Sequence, residues 1–271
     1  MKKGFQITLA LVLILALAAC GSSAPAQNPS SQNLAPETEL IVFAAASLSG
    51  VLAEIAGTYS EANPNMNLVF NFDSSGTLRT QIQEGAQADL FISAAQREMD
   101  QLEGQGFLLD GTRLNLLENQ VVLVVAPGNP GGIESFSDMA EALVAGDVLM
   151  AMGNMDVPAG RYAQEILNYF GLDHSELAGT GVISYGSNVR EVALQVREAS
   201  VDMGIVYLTD AVDHGLTVVG YATADMSGRV ILPAAVLNES RNSEAARFFL
   251  EFLAGDEAME IFSAWGFTPY V

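Results

Sequence analysis

Four short stretches combine small residues, hydroxyls and the start of a helical pattern. They are Ala46-Ser47, Asp73-Ser74-Ser75-Gly76-Thr77, Val157-Pro158-Ala159-Gly160 and Tyr185-Gly186-Ser187-Asn188-Val189. A helix N-terminus leaves its first N–H groups without partners and carries a partial positive charge, so it can hold an anion. Small residues let that anion reach the backbone. The plainer reading is ordinary capping: Ser47 before a helix from Leu48, Pro158 at a first helical position, and Ser187 or Asn188 before Val189. If five to seven N–H and O–H donors converged on one oxyanion, each charge-assisted bond would contribute roughly 1.5 to 3 kcal/mol. After desolvation, micromolar binding is then within reach, since about −8 kcal/mol corresponds to 1 μM.

The elements that must position these stretches alternate. Strand-like apolar runs fall near Leu40 to Ala45, Leu68 to Phe72, Leu90 to Ile92, Val121 to Ala126, Val148 to Met152, Gly204 to Val206 and Val230 to Leu237. Helical patterns start near Leu48, Thr77, Gln96, Phe136, Ala159, Val189, Glu244 and Asp256. Such alternation predicts an α/β fold with largely parallel sheets, in which ligands sit at the carboxyl ends of the strands. The four stretches follow strands, so two helix starts from each of two lobes can face one cleft. The run Val121 to Val125 reads as a strand leaving a first lobe, and Thr217 to Tyr221 as the return.

Lys2 and Lys3 precede an apolar run from Ile7 to Ala19 that is too short to span a bilayer and has the form of a signal peptide, residues 1–19. It ends in Leu17-Ala18-Ala19-Cys20-Gly21, which resembles the bacterial lipobox, so Cys20 is expected to carry lipid and anchor the chain to the membrane outside the cytoplasm. Residues 20–36 are rich in Ser, Ala, Pro, Asn and Gln and read as a tether. A single cysteine allows no internal disulfide. The formal charge is −21, and −23 once Lys2 and Lys3 are removed, which disfavours nucleic acid as a partner. It also repels anions at long range, so any bound anion must be held by short-range dipoles and hydrogen bonds.

Several motifs together resemble a known family. They are Phe43-Ala-Ala-Ala-Ser47-Leu48, Ser74-Ser75-Gly76-Thr77-Leu78, Ala88-Asp89-Leu90-Phe91-Ile92-Ser93-Ala94, Val157-Pro158-Ala159-Gly160, Gly204-Ile205-Val206-Tyr207 and Trp265-Gly266-Phe267-Thr268. In order and spacing, from about Leu40 to Thr268, they look like the periplasmic molybdate-binding proteins of ABC transporters. The resemblance implies a type II periplasmic-binding-protein fold, with two α/β lobes joined by two crossover strands and the ligand cleft between them. The lobes would comprise residues 37–121 with 222–271, and 122–221. It implies contacts to the oxyanion from the Ser47 and Ser75 hydroxyls and backbone, the Ala159 and Val189 backbone N–H groups and the Tyr207 hydroxyl. The implied partners are molybdate or tungstate, an ABC permease and its ATPase; no other cofactor or metal, and a monomer, are expected. Two departures bear on pocket size: some relatives have serine where Gly76 stands, and Tyr-Gly-Ser-Asn precedes Val189 in place of an acidic stretch.

A site made only of donors matches a fully deprotonated dianion, whereas hydrogen phosphate would point a proton at an N–H. Sulfate has the same charge and shape and remains the competing ligand, while an enzyme on the same two-lobe fold is the alternative of another class. No G-x-S-x-G elbow or P-loop is present, and His174 and His214 are expected at the surface and not in a zinc site. Arg79, Arg161 and Arg190 follow the helix starts, and Glu84, Glu165 and Glu191 near them suggest solvent-facing salt bridges. Asp89 is expected to fix backbone and not to touch ligand.

Overall fold

The computed structural model describes residues 38–271; the expected signal peptide, Cys20 and the tether lie outside the described residues. The first sheet is built on β1 (Thr38–Ala45), flanked in parallel by β2 (Met66–Asp73) and β3 (Leu90–Ile92). β4 (Leu114–Asn119), β10 (Val230–Val236) and the short β11 (Thr268–Pro269) extend it antiparallel, giving the order β11-β4-β10-β3-β1-β2.

The second sheet has β5 (Val121–Val125), β6 (Met150–Gly153), β7 (Ile183–Gly186), β8 (Met203–Tyr207) and β9 (Thr217–Tyr221) in the order β7-β6-β8-β5-β9. β6 is parallel to both β7 and β8, while β5 is antiparallel to β8 and β9. Each sheet is therefore mixed, with its parallel strands grouped on one side. β4, β7 and β11 were not legible as strands: β4 and β7 mix polar and apolar residues, and β11 has two residues.

β5 is buried along its whole length, which accounts for its unbroken run of Val and Leu. The chain passes between the lobes with only Gln120 separating β4 from β5, so the changeover precedes Val121. Gln120 holds both crossings: its carbonyl accepts from Leu208 N at 2.8 Å, and its Nε2 donates to the Ala222 carbonyl at 2.6 Å. Asn119 Nδ2 donates to Thr209 Oγ1 at 2.9 Å across the same junction.

Helices cover both sheets. In the first lobe, α1 (Ser49–Ala62) packs Val51, Leu52 and Ile55 into the core, with Tyr59 against Phe249 of α10 (Ser243–Leu253) at 4.8 Å between ring centroids. α2 (Ser75–Gln83), α3 (Gln96–Gly104) and α11 (Asp256–Ala264) complete that lobe's long helices. The second lobe carries α4 (Phe136–Ala145), α5 (Pro158–Tyr169), α6 (His174–Thr180), α7 (Val189–Arg197) and α8 (Leu208–Asp213), and α9 (Ala224–Ser227) follows the return crossing. α4 and α6 both end on left-handed glycines, Gly146 and Gly181, which close the last turn without steric cost.

Candidate functional site: a cavity between the lobes

Four parallel strands deliver the four helix starts to one place. β1 and β2 lead to Ser47 and Ser75, and β6 and β7 lead to Ala159 and Val189. Between them lies a small cavity lined by Ser47, Ser75, Ala159, Val189 and Tyr207 together with Asp73, Ser74, Pro158 and apolar neighbours. All five positions singled out from the sequence thus meet. Tyr207 ends β8, at the edge of the lobe junction.

The donors are poised in distinct ways. Ser47 does not cap a helix as expected. It sits in a 3-10 turn, Ala46–Leu48, that precedes α1, and its Oγ is buried without a hydrogen-bond partner. The Tyr207 hydroxyl is likewise buried and unpartnered, and burial, the largest cause, holds its pKa well above the usual value, so it keeps its proton. Unmade hydrogen bonds of this kind are costly and call for an explanation at each site. Ser75 Oγ accepts from Ala94 N at 2.9 Å, which leaves its O–H to donate into the cavity.

Capping of α2 falls to Ser74, whose Oγ accepts from Thr77 N at 3.1 Å, and capping of α7 to Asn188, whose Oδ1 accepts from Glu191 N at 3.1 Å. Those bonds consume the donors at the third helical positions and leave Ser75 N and Val189 N at the first helical positions, without partners inside their helices. Pro158 takes the first position of α5, so the Ala159 N–H is the first donor of that helix.

The site is not free of charge, as a donors-only reading expects. Asp73 lines it, and its Oδ1 accepts from Ser74 N at 2.7 Å. Lysine, arginine and histidine are absent from the lining among the described residues. Arg161 instead reaches back across the cleft: its Nη2 lies 2.6 Å from Oε1 of Glu98 on α3. Arg190 pairs with Asp213 at 2.6 Å, and Arg79 bonds Gln101 and Thr80 in place of an acid. Neighbouring glutamates were thus the wrong partners, because each arginine bonds to a residue beyond its own helix or directly beside it.

His214 is not a surface residue either; its side chain is 7% exposed, Nδ1 lies 3.0 Å from the Asp210 carbonyl oxygen, and burial lowers its pKa. Asp89 does tie backbone: Oδ2 accepts from Ile41 N at 2.9 Å and Oδ1 from Ser240 Oγ at 2.6 Å. Asp73 stands within the second of the four stretches, whereas Ala94 and Glu98 were not singled out as parts of the site region. Ala94 was visible within its motif, but Glu98 carries no local signal for a partner 63 residues away.

Residues 40–268 match the family model described as bacterial extracellular solute-binding protein. The chain belongs to this family. Among members of the bacterial extracellular solute-binding family, the molybdate-binding protein of Escherichia coli is 35% identical over 240 residues, covering 87% of this chain and 91% of that protein. A Bacillus subtilis protein, described as a candidate ABC transporter substrate-binding lipoprotein, is 34% identical over 269 residues, 98% of each chain. The solved periplasmic molybdate-binding protein of Azotobacter vinelandii superposes with a TM-score of 0.74 at 23% identity, covering 84% of this chain and 98% of that one. The fold is thus that of type II periplasmic binding proteins, and the family is one of solute-binding transport proteins.

Proposed function

We propose that this solute-binding protein captures molybdate, and tungstate with it, and hands the oxyanion to an ABC permease driven by its ATPase. The observation that carries the reading is the pair of buried, unpartnered hydroxyls, Ser47 and Tyr207, turned toward a cavity shared with Ser75, Ala159 and Val189. The relatives named for molybdate support this choice of ligand. The ligand contacts are Ser47, Ser75, Ala159, Val189 and Tyr207, and together they present N–H and O–H donors from both lobes. A dianion without protons satisfies such donors best, and desolvated donors bind it more strongly than water-exposed ones. Asp73, with one oxygen held by Ser74 N, adds an acceptor that a fully deprotonated ligand cannot use.

The chain acts by binding alone and works outside the cytoplasm as a monomer, anchored by lipid on Cys20. Its two lobes close on the ligand by hinge motion at the Gln120 and Ala222 crossings. Calorimetry with molybdate, tungstate, sulfate and phosphate tests this reading. Heat from the first two and little from the others is expected; heat from sulfate but none from molybdate overturns the assignment.

A further inference from the structure

We propose that Glu98 and Arg161 form a latch across the cleft that positions the N-terminus of α5 over the bound oxyanion and slows its release. This rests on reading the cavity as an oxyanion site. Glu98 lies on α3 of the first lobe with its side chain 1% exposed; Arg161 lies on α5 of the second, two residues after Ala159, 16% exposed. The guanidinium makes two bonds that bracket the start of α5. Nη2 donates to Glu98 Oε1 at 2.6 Å, and Nη1 donates to the Met155 carbonyl at 2.9 Å in the loop just before the helix. The same loop touches the first lobe at a second point, where a Cβ added to Gly76 would stand 2.1 Å from the Asp156 carbonyl oxygen. Arg161 therefore ties the Ala159 N–H, its loop and the first lobe into one unit. Its neighbour Tyr162 packs edge-on against Tyr207, 6.2 Å between ring centroids, so the tie extends to a second ligand position.

The pair exists only when the lobes are together. Closing buries the Glu98 carboxylate, and its Oε2 has no partner, so burial raises its pKa while Arg161 is the chief group opposing that rise. A buried ion pair adds little net stability against apolar replacements, but removing one partner strands a buried charge. Arg161→Met should strand Glu98 in the closed form and not in the open one. Adding Glu98→Gln removes the stranded charge. A double-mutant pattern in ligand affinity, absent from ligand-free stability, therefore distinguishes a latch from a merely structural contact.

Molybdate affinity and release rate would be measured for the parent, Arg161→Met and the Glu98→Gln/Arg161→Met double variant, with thermal midpoints in the absence of ligand. We expect Arg161→Met to weaken binding roughly thirtyfold or more, mainly through faster release, as truncation of one partner of a buried charge pair does. The double variant should recover most of that loss, with the three ligand-free midpoints close together. Unchanged affinity in Arg161→Met, or no recovery in the double variant, overturns the latch. If the parent binds none of molybdate, tungstate or sulfate, the oxyanion reading and the latch that rests on it fall together, whereas binding by the parent with unchanged affinity in Arg161→Met overturns the latch alone.

Discussion

Ser47 and Ser75 present the same group to the cavity under different constraints. Ser47 Oγ has no partner in the protein, so Ser47→Ala should cost affinity without costing stability. A hydrogen bond to a charged ligand is worth about 1.5 to 3 kcal/mol, so molybdate binding should weaken about tenfold or more by calorimetry. Ser75→Ala should lose similar affinity and also lower the thermal midpoint, because it deprives the buried Ala94 N–H of its acceptor. Tyr207→Phe removes an orphaned hydroxyl and should weaken binding while leaving the fold intact. Asp210 offers a separate test. It is 1% exposed, neither carboxylate oxygen has a partner, and burial pushes its pKa up to about 8 despite the opposing influence of Arg190. The raised value favours the neutral form in the folded chain, so this group's share of stability is full below its unfolded pKa of about 3.9 and is lost as pH rises through about 8. Asp210→Asn should therefore stabilise the protein more at pH 8 than at pH 5; an equal gain at both would refute the assignment.

At the scale of elements, the start of α2 is pressed against the loop that precedes α5. Gly76 leaves no room for a side chain there: its Cβ would lie 2.1 Å from the Asp156 oxygen. Backbone oxygen cannot move aside as the tip of a flexible side chain can, so Gly76→Ala must hold the lobes apart. In the helix itself alanine is favoured over glycine by about 1 kcal/mol. The variant should thus match or exceed the parent in ligand-free thermal stability yet bind molybdate at least several-fold more weakly. Equal affinity would show that the lobes tolerate a wider separation than the closed form displays.

At the scale of the whole molecule, a dianionic ligand would have to approach a chain of formal net charge −21 against its field. Screening shortens that repulsion from about 30 Å at 0.01 M salt to about 8 Å at 0.15 M. Molybdate association, followed by stopped flow on Trp265 fluorescence, should therefore accelerate several-fold with added salt, opposite to electrostatic steering. A rate that falls with salt would point to a local basic entry path. Much of this architecture was legible in the amino-acid order. Helix starts, caps and apolar periodicity are decided within a few residues, so Pro158 at the start of α5 and the buried run of β5 could be read directly, as could the strands that lead to Ser47, Ser75 and Ala159, but not β7 before Val189. The family resemblance, too, lives in such local motifs. The tertiary structure alone decided which groups meet across the cleft: Arg161 with Glu98, Gly76 with Asp156, and the Ser75 hydroxyl with Ala94 N. It also freed Ser47 from capping, because the turn before α1 is 3-10 and no first-turn N–H comes within its reach. Those pairings depend on how two separately packed lobes are set against each other, and residues far apart in sequence carry no periodic or capping signal that could announce them.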